Sequence, residues 1–230
     1  SSESYFWLNN TGSLLNQTIC GLFTGIPNYI MVPIAAKMVK KWGARATSII
    51  AGLFGFFAYM TLFFVGFHPF GQTFKDHYIF NLIWVIFGLT ICGLPNKILN
   101  VSGQIVTAEA LDYMEWKHGL RNEALVTTVQ GYFGKLATSV TGWLSGMVLT
   151  WINYVPLTDS LGNAVPQTDP TMLNGIWAVF CILPALARGL YGVSFIIYPI
   201  HGDLQQQMIV ELAEKRAQRL AEQEAKDHQA

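Results

Sequence analysis

The chain has 230 residues, 52% of them hydrophobic and 12% charged, with 14 Lys and Arg balanced by 14 Asp and Glu. Soluble domains carry about 25% charged residues, so this composition, with a mean hydropathy of +0.35, excludes an ordinary soluble domain. The even charge balance also lacks the basic footprint of a nucleic-acid-binding protein.

Taken in order, the chain opens on Ser1 with no signal-peptide pattern behind it, from which we expect a longer protein extending before it. Five apolar runs then read as spanning helices: 14–36, 46–67, 78–99, 124–151 and 172–198. Each is long enough to cross about 30 Å of hydrocarbon at about 1.5 Å per residue. Pro27, Pro33, Pro95 and Pro184 fall inside them, which spanning helices tolerate. Gly21 and Gly25, and Gly142 and Gly146, have the small-xxx-small spacing of helix contacts. Residues 153–171 read as an irregular outer connection rich in Asp, Asn, Pro and Thr. The chain divides into a membrane bundle, 1–204, and a polar tail, 205–230, in which Met208, Ile209, Leu212 and Leu220 recur at helical spacing.

Basic residues sort by loop. Lys37, Lys40, Lys41 and Arg45 lie between the first two spans, Lys117 and Arg121 between the third and fourth, and Lys215, Arg216, Arg219 and Lys226 after the fifth; the alternate loops hold Lys75 alone. The positive-inside rule then puts these loops and the C-terminus in the cytoplasm and the N-terminus outside. Cys20, Cys92 and Cys181 fall inside apolar runs and read as buried small hydrophobes, and the five histidines have no metal-ligand spacing. No metal site and no cofactor is expected.

Three cations, Lys97, Lys135 and Arg188, lie in or near the spans, with no acid in any core. Charge there costs roughly 2.5 to 3.5 kcal/mol and faces a partner or a water-filled cavity. Lys97 is near a cytoplasmic end. Lys135 lies mid-span in a helix where Gln130, Gly134, Thr138 and Thr141 form a polar stripe, the pattern of a helix facing an aqueous path.

The stretch GQIVTAEALDYMEWKHGLRNEALVTTVQGYFGKLATSVTGW resembles the loop and helix of the glycoside–pentoside–hexuronide:cation symporters, whose pattern runs A-D-x-x-D-Y-G-E-x-K-x-G-x-R-x-E before an apolar helix bearing Q and K. KMVKKWGAR and YPIHGDLQQQMIVELAEKRA resemble that family's basic loop and C-terminal ending. Glu109 stands where Asp is usual, Met114 replaces Gly and His118 a common Thr.

The resemblance implies an all-α membrane protein with the major facilitator fold, this chain supplying about five transmembrane helices, the eighth to the twelfth, of the C-terminal half. It implies transport of a sugar or glycoside coupled to Na⁺ or H⁺ by alternating access, in the cell membrane. The cation would bind mainly in the N-terminal half, the remaining partner of this one in the bilayer. Substrate-binding roles carry over to Lys135 and Gln130, and Asn100 stands near where relatives place an aromatic residue. Glu109, Asp112, Glu115 and Arg121 fall on the charged loop that opens and closes between halves. Arg188 is a further candidate, because Arg grips carboxylates and sulfonates in a bidentate manner. A neutral glycoside is the default substrate and an acidic sugar the alternative. A non-transporting sensor or scaffold on the same fold is the competing reading. An enzyme is disfavoured, since no nucleophile–base pair, metal-ligand set or phosphate loop stands out.

Overall fold

A single residue, Gly43, interrupts the longest helix in the chain. The computed structural model describes residues 2–68, 77–151, 154–155, 157–158, 164–166 and 169–227; Lys75, part of the outer connection 153–171 and residues 228–230 lie outside them. Helix α1 is Ser2–Thr11 and α2 is Leu15–Val65, with Gly43 at φ 81° and ψ 162° inside it. That conformation belongs to glycine, and it divides α2 into two crossings. Helix α3 is Tyr78–His118, α4 Glu123–Trp151, α5 Pro170–Ser194 and α6 Asp203–Asp227, with a 3₁₀ turn at Phe195–Ile197. Two short strands, β1 Leu157–Thr158 and β2 Ala164–Val165, pair antiparallel within the outer connection.

Among the described residues three helices are long and apolar enough to cross a membrane: α2, α3 and the stretch Pro170–Ile197. Helix α4 has the length but not the hydropathy, because Thr127, Thr128, Gln130, Lys135, Thr138, Ser139 and Thr141 dilute its apolar residues. It buries none of its residues, whereas α2, α3 and α5 pack together.

The core has two parts. Near one end Phe6, Trp7, Trp177, Phe180, Cys181, Val85, Cys92 and Leu62 form a buried cluster, with Phe6 stacked on Phe180 at 4.4 Å between ring centroids. Toward the other end Ala35, Ala51, Ile98 and Leu99 meet. All three cysteines are buried. Helix α1 belongs to no apolar run in the sequence, yet Phe6 and Trp7 are fully buried against α5. The close helix contact is not at Gly21, Gly25, Gly142 or Gly146, where an added Cβ would meet nothing within 4 Å, but at Gly52 and Gly192. Large apolar side chains such as Leu22, Phe23, Ile26, Phe57, Phe64 and Leu190 point outward, as a lipid-facing surface requires.

Candidate functional site

The motif residues predicted to form a loop are mostly helical. Helix α3 carries Asp112 and Glu115 in its last two turns and ends where Gly119 adopts φ 71°, its N–H donating to the Glu115 carbonyl at 2.8 Å. This is an αL cap, for which glycine carries no Cβ penalty. Residues 119–122 make the turn, and Asn122 Oδ1 caps α4 by accepting from the Leu125 N–H at 3.0 Å.

That turn gathers a charged cluster. Arg121 reaches Asp112 at 3.1 Å, Glu115 at 3.8 Å and Glu123 at 2.9 Å. Helix α6 supplies two further arginines: Arg216 meets Asp112 at 2.9 Å and Glu115 at 2.5 Å, and Arg219 meets Glu115 at 3.5 Å. The Glu115 carboxylate raises the Arg216 pKa further above its already high ordinary value, with Asp112 adding to this, so the guanidinium stays charged. Nearby, Trp116 Nε1 donates to Glu211 at 2.7 Å. Gln207 and then Trp116, by hydrogen bonding, hold the Glu211 carboxyl below its ordinary range. Met208 and Leu212 are buried beneath these contacts.

Asp112, Glu115 and Arg121 therefore come together as the sequence suggested. Glu109 does not join them: it accepts from the Tyr198 hydroxyl at 2.8 Å and from Gln205 at 2.7 Å, tying α3 to the segment after α5. Arg216, Arg219, Trp116 and Glu211 were not foreseen. Their signal was the stripe Met208, Leu212, Arg216, Arg219, whose three- and four-residue steps lie on one helix face.

A second locus lies between α3 and α4. Asn100, Gly103, Gln104, Thr107, Gln130 and Tyr191 line an open cleft of about 580 Å³. Gln130 donates to Thr107 Oγ1 at 2.7 Å across it. The cleft brings together Asn100 and Gln130, and adds Gln104, Thr107 and Tyr191, which sequence reasoning passed over. Asn100 and Gln104 are one turn apart on an exposed face of α3, so the polar four-residue step was the available cue. Lys135 lies on α4 outside this lining; its side chain is exposed and makes no ion pair among the described residues.

The other two intramembrane cations turn elsewhere. Lys97 rests over the Tyr29 ring at 5.2 Å. Arg188 runs from α5 across Gly55 to Tyr59, its guanidinium 5.1 Å from the ring centroid. Its Nε and one Nη are buried without a hydrogen-bond partner among the described residues. It approaches Gly55, as Pro95 of α3 does, and is not part of the cleft lining.

The family model for the MFS/sugar transport proteins matches residues 3–202. This chain is an MFS sugar transporter family member. It has the family's all-α fold and is membrane-embedded. The uncharacterized symporter YjmB of Bacillus subtilis (strain 168) is 29% identical over 214 residues, covering 92% of this chain and 42% of that protein. The isoprimeverose transporter of Lactiplantibacillus pentosus is 28% identical over 51% of this chain and 23% of its own length. The putative sulfoquinovose importer of Escherichia coli (strain K12) is 35% identical over 36% of this chain and 18% of its own length. The chain thus spans less than half the length of these curated relatives. No solved structure matches it.

Proposed function

We propose that this chain contributes to secondary transport of a sugar or glycoside, coupled to Na⁺ or H⁺, by alternating access in the cell membrane. The carrying observation is the polar cleft between α3 and α4, lined by Asn100, Gln104, Thr107 and Gln130. Amides and hydroxyls spaced along two helices are the donors and acceptors that a polyol needs. Such polar side chains exposed on membrane helices are expensive unless they face water or a ligand.

In this reading α4 is the helix that faces the translocation path. It buries nothing within the chain, because its partners are substrate, water and the other half of the transporter. Lys135 projects from the same helix as the group that meets substrate or a carboxylate of the other half. The cluster of Asp112, Glu115 and Arg121 lies at the cytoplasmic edge, with the C-terminus on that side, and holds or releases the turn into α4. The coupling cation binds mainly outside this chain.

The acidic-sugar alternative keeps one support, the unpaired cation at Lys135, and one relative named for sulfoquinovose; another is named for isoprimeverose. Arg188 lies outside the cleft lining, with its guanidinium over the Tyr59 ring. The test is uptake by the intact transporter carrying Lys135→Ala. Loss of concentrative uptake with normal membrane insertion is the expected result. Normal accumulation removes Lys135 from the path, and competition by neutral glycosides but not by uronides removes the acidic substrate.

A further inference from the structure

We propose that α6 is a working part of the charged turn: Arg216 is a positioning residue that competes with Arg121 for Asp112 and Glu115, and so sets how tightly the start of α4 is fastened to α3. The two arginines share two acceptor atoms. Asp112 Oδ1 lies 2.9 Å from Arg216 and 3.1 Å from Arg121. They also share Glu115 Oε2, at 2.5 Å from Arg216 and 3.8 Å from Arg121. The Glu115 side chain is 8% exposed, so little water remains to satisfy it. Two guanidiniums crowded onto the same carboxylate oxygens weaken each other's hold, because the two like charges repel.

The competition matters because of what Arg121 does with its remaining nitrogens. Its Nε donates to Glu123, the first residue of α4, at 2.9 Å, while one Nη holds Asp112 on α3. Arg121 is therefore a tie across the turn. Helix α4 has no buried residue to anchor it otherwise among the described residues, and Gln130 donates to Thr107 of α3 further along it. A contact made by the tail is thus two ion pairs removed from the helix that carries Gln130 and Lys135. Arg216 is kept in register by Met208 and Leu212, buried on the same face of α6.

This rests on the transport reading only for its consequence, not for its geometry, and hydrogen exchange of the substrate-free intact protein tests the geometry alone. With Arg216→Ala, exchange in 123–130 slows by about threefold, the scale of one partly exposed ion pair, while exchange in α6 quickens. With Arg216→Lys, a point charge that lacks the fork, the change is smaller. In an Arg121→Ala background, Arg216→Ala no longer slows 123–130. Unchanged exchange at 123–130 overturns the proposal, making α6 a bystander; faster exchange overturns it by making α6 a brace. Persistence of the effect without Arg121 overturns the route through that residue. Should exchange respond as expected while uptake of every sugar tested is absent, the transport reading fails and the coupling stands.

Discussion

Gly52 and Gly192 meet backbone to backbone: a Cβ built on Gly52 would fall 2.5 Å from the Gly192 Cα, and one on Gly192 would fall 3.1 Å from the Gly52 Cα. Small residues at such a crossing let spanning helices approach without a hydrophobic driving force between them. Here the contact fixes the second part of α2 against α5.

Gly52→Val should therefore destabilise the bundle by about 1 to 3 kcal/mol, the usual cost of overpacking. Gly21→Ala, with no atom within 4 Å of the new Cβ, should leave thermal unfolding in detergent unchanged. A Gly52→Val protein that melts with wild type would remove the crossing from the core.

Arg188→Met should leave the protein at least as stable as wild type. Two of the guanidinium nitrogens are buried without a hydrogen-bond partner among the described residues, and replacing a buried, incompletely satisfied charge by a hydrophobe of similar length is often neutral or stabilising. The Tyr59 contact, about 1 kcal/mol for a cation over a ring, is the term opposing this. Thermal unfolding measures the balance. A large loss of stability would reveal an anionic partner for Arg188 beyond the described residues.

The two loci should separate kinetically. Gln130→Ala, which removes a cleft amide, should weaken sugar binding by up to about tenfold. Asp112→Asn, at the charged turn, should slow translocation with affinity little changed. Equilibrium binding and single-turnover uptake on both variants decide. A large affinity loss in Asp112→Asn would merge the loci.

The Trp116–Glu211 contact should respond to acid. The folded Glu211 pKa lies below its ordinary value of 4.5, so its ionised hydrogen bonds stabilise the docked tail above that pH and are lost as pH falls through the folded pKa. The fluorescence difference between wild type and Trp116→Phe should change in that acidic window and stay flat in Glu211→Gln. A transition at neutral pH would point to another group.

Much of the bundle was legible because apolar runs of about 20 residues are hard to mistake. The boundaries were not. The charges of DYMEWK read as loop, but α3 is about 60 Å long at 1.5 Å per residue, and its last turns carry charge because they pass beyond the hydrocarbon. Between the first two spans KKWGAR also read as loop, though helix continues on both sides of Gly43. Asp112, Glu115 and Arg121 were singled out by the family motif they fall on, which is contiguous in sequence, and they meet at one turn. Arg216, about a hundred residues on, became visible only when the tail folded back onto α3. Glu109 was grouped with the cluster by the same motif, where it stands in place of the usual Asp, and its bonds to Tyr198 and Gln205 show that a helix turn can point neighbouring acids at different partners.

Gly43 has a mechanical meaning. Just after it, Arg45 grips the Phe195 and Ile196 carbonyls at 3.2 and 2.6 Å, so residues 44–65 are bolted to the far end of α5. Residues 15–42 lie on the other side of that pivot and pack through different partners, Cys20 in the first buried cluster, Ala35 against Ala51, Ile98 and Leu99, and Tyr29 beneath Lys97. The long helix is thus a two-link arm with a glycine pivot, and a side chain there would meet the strain of its positive φ before it met any neighbour.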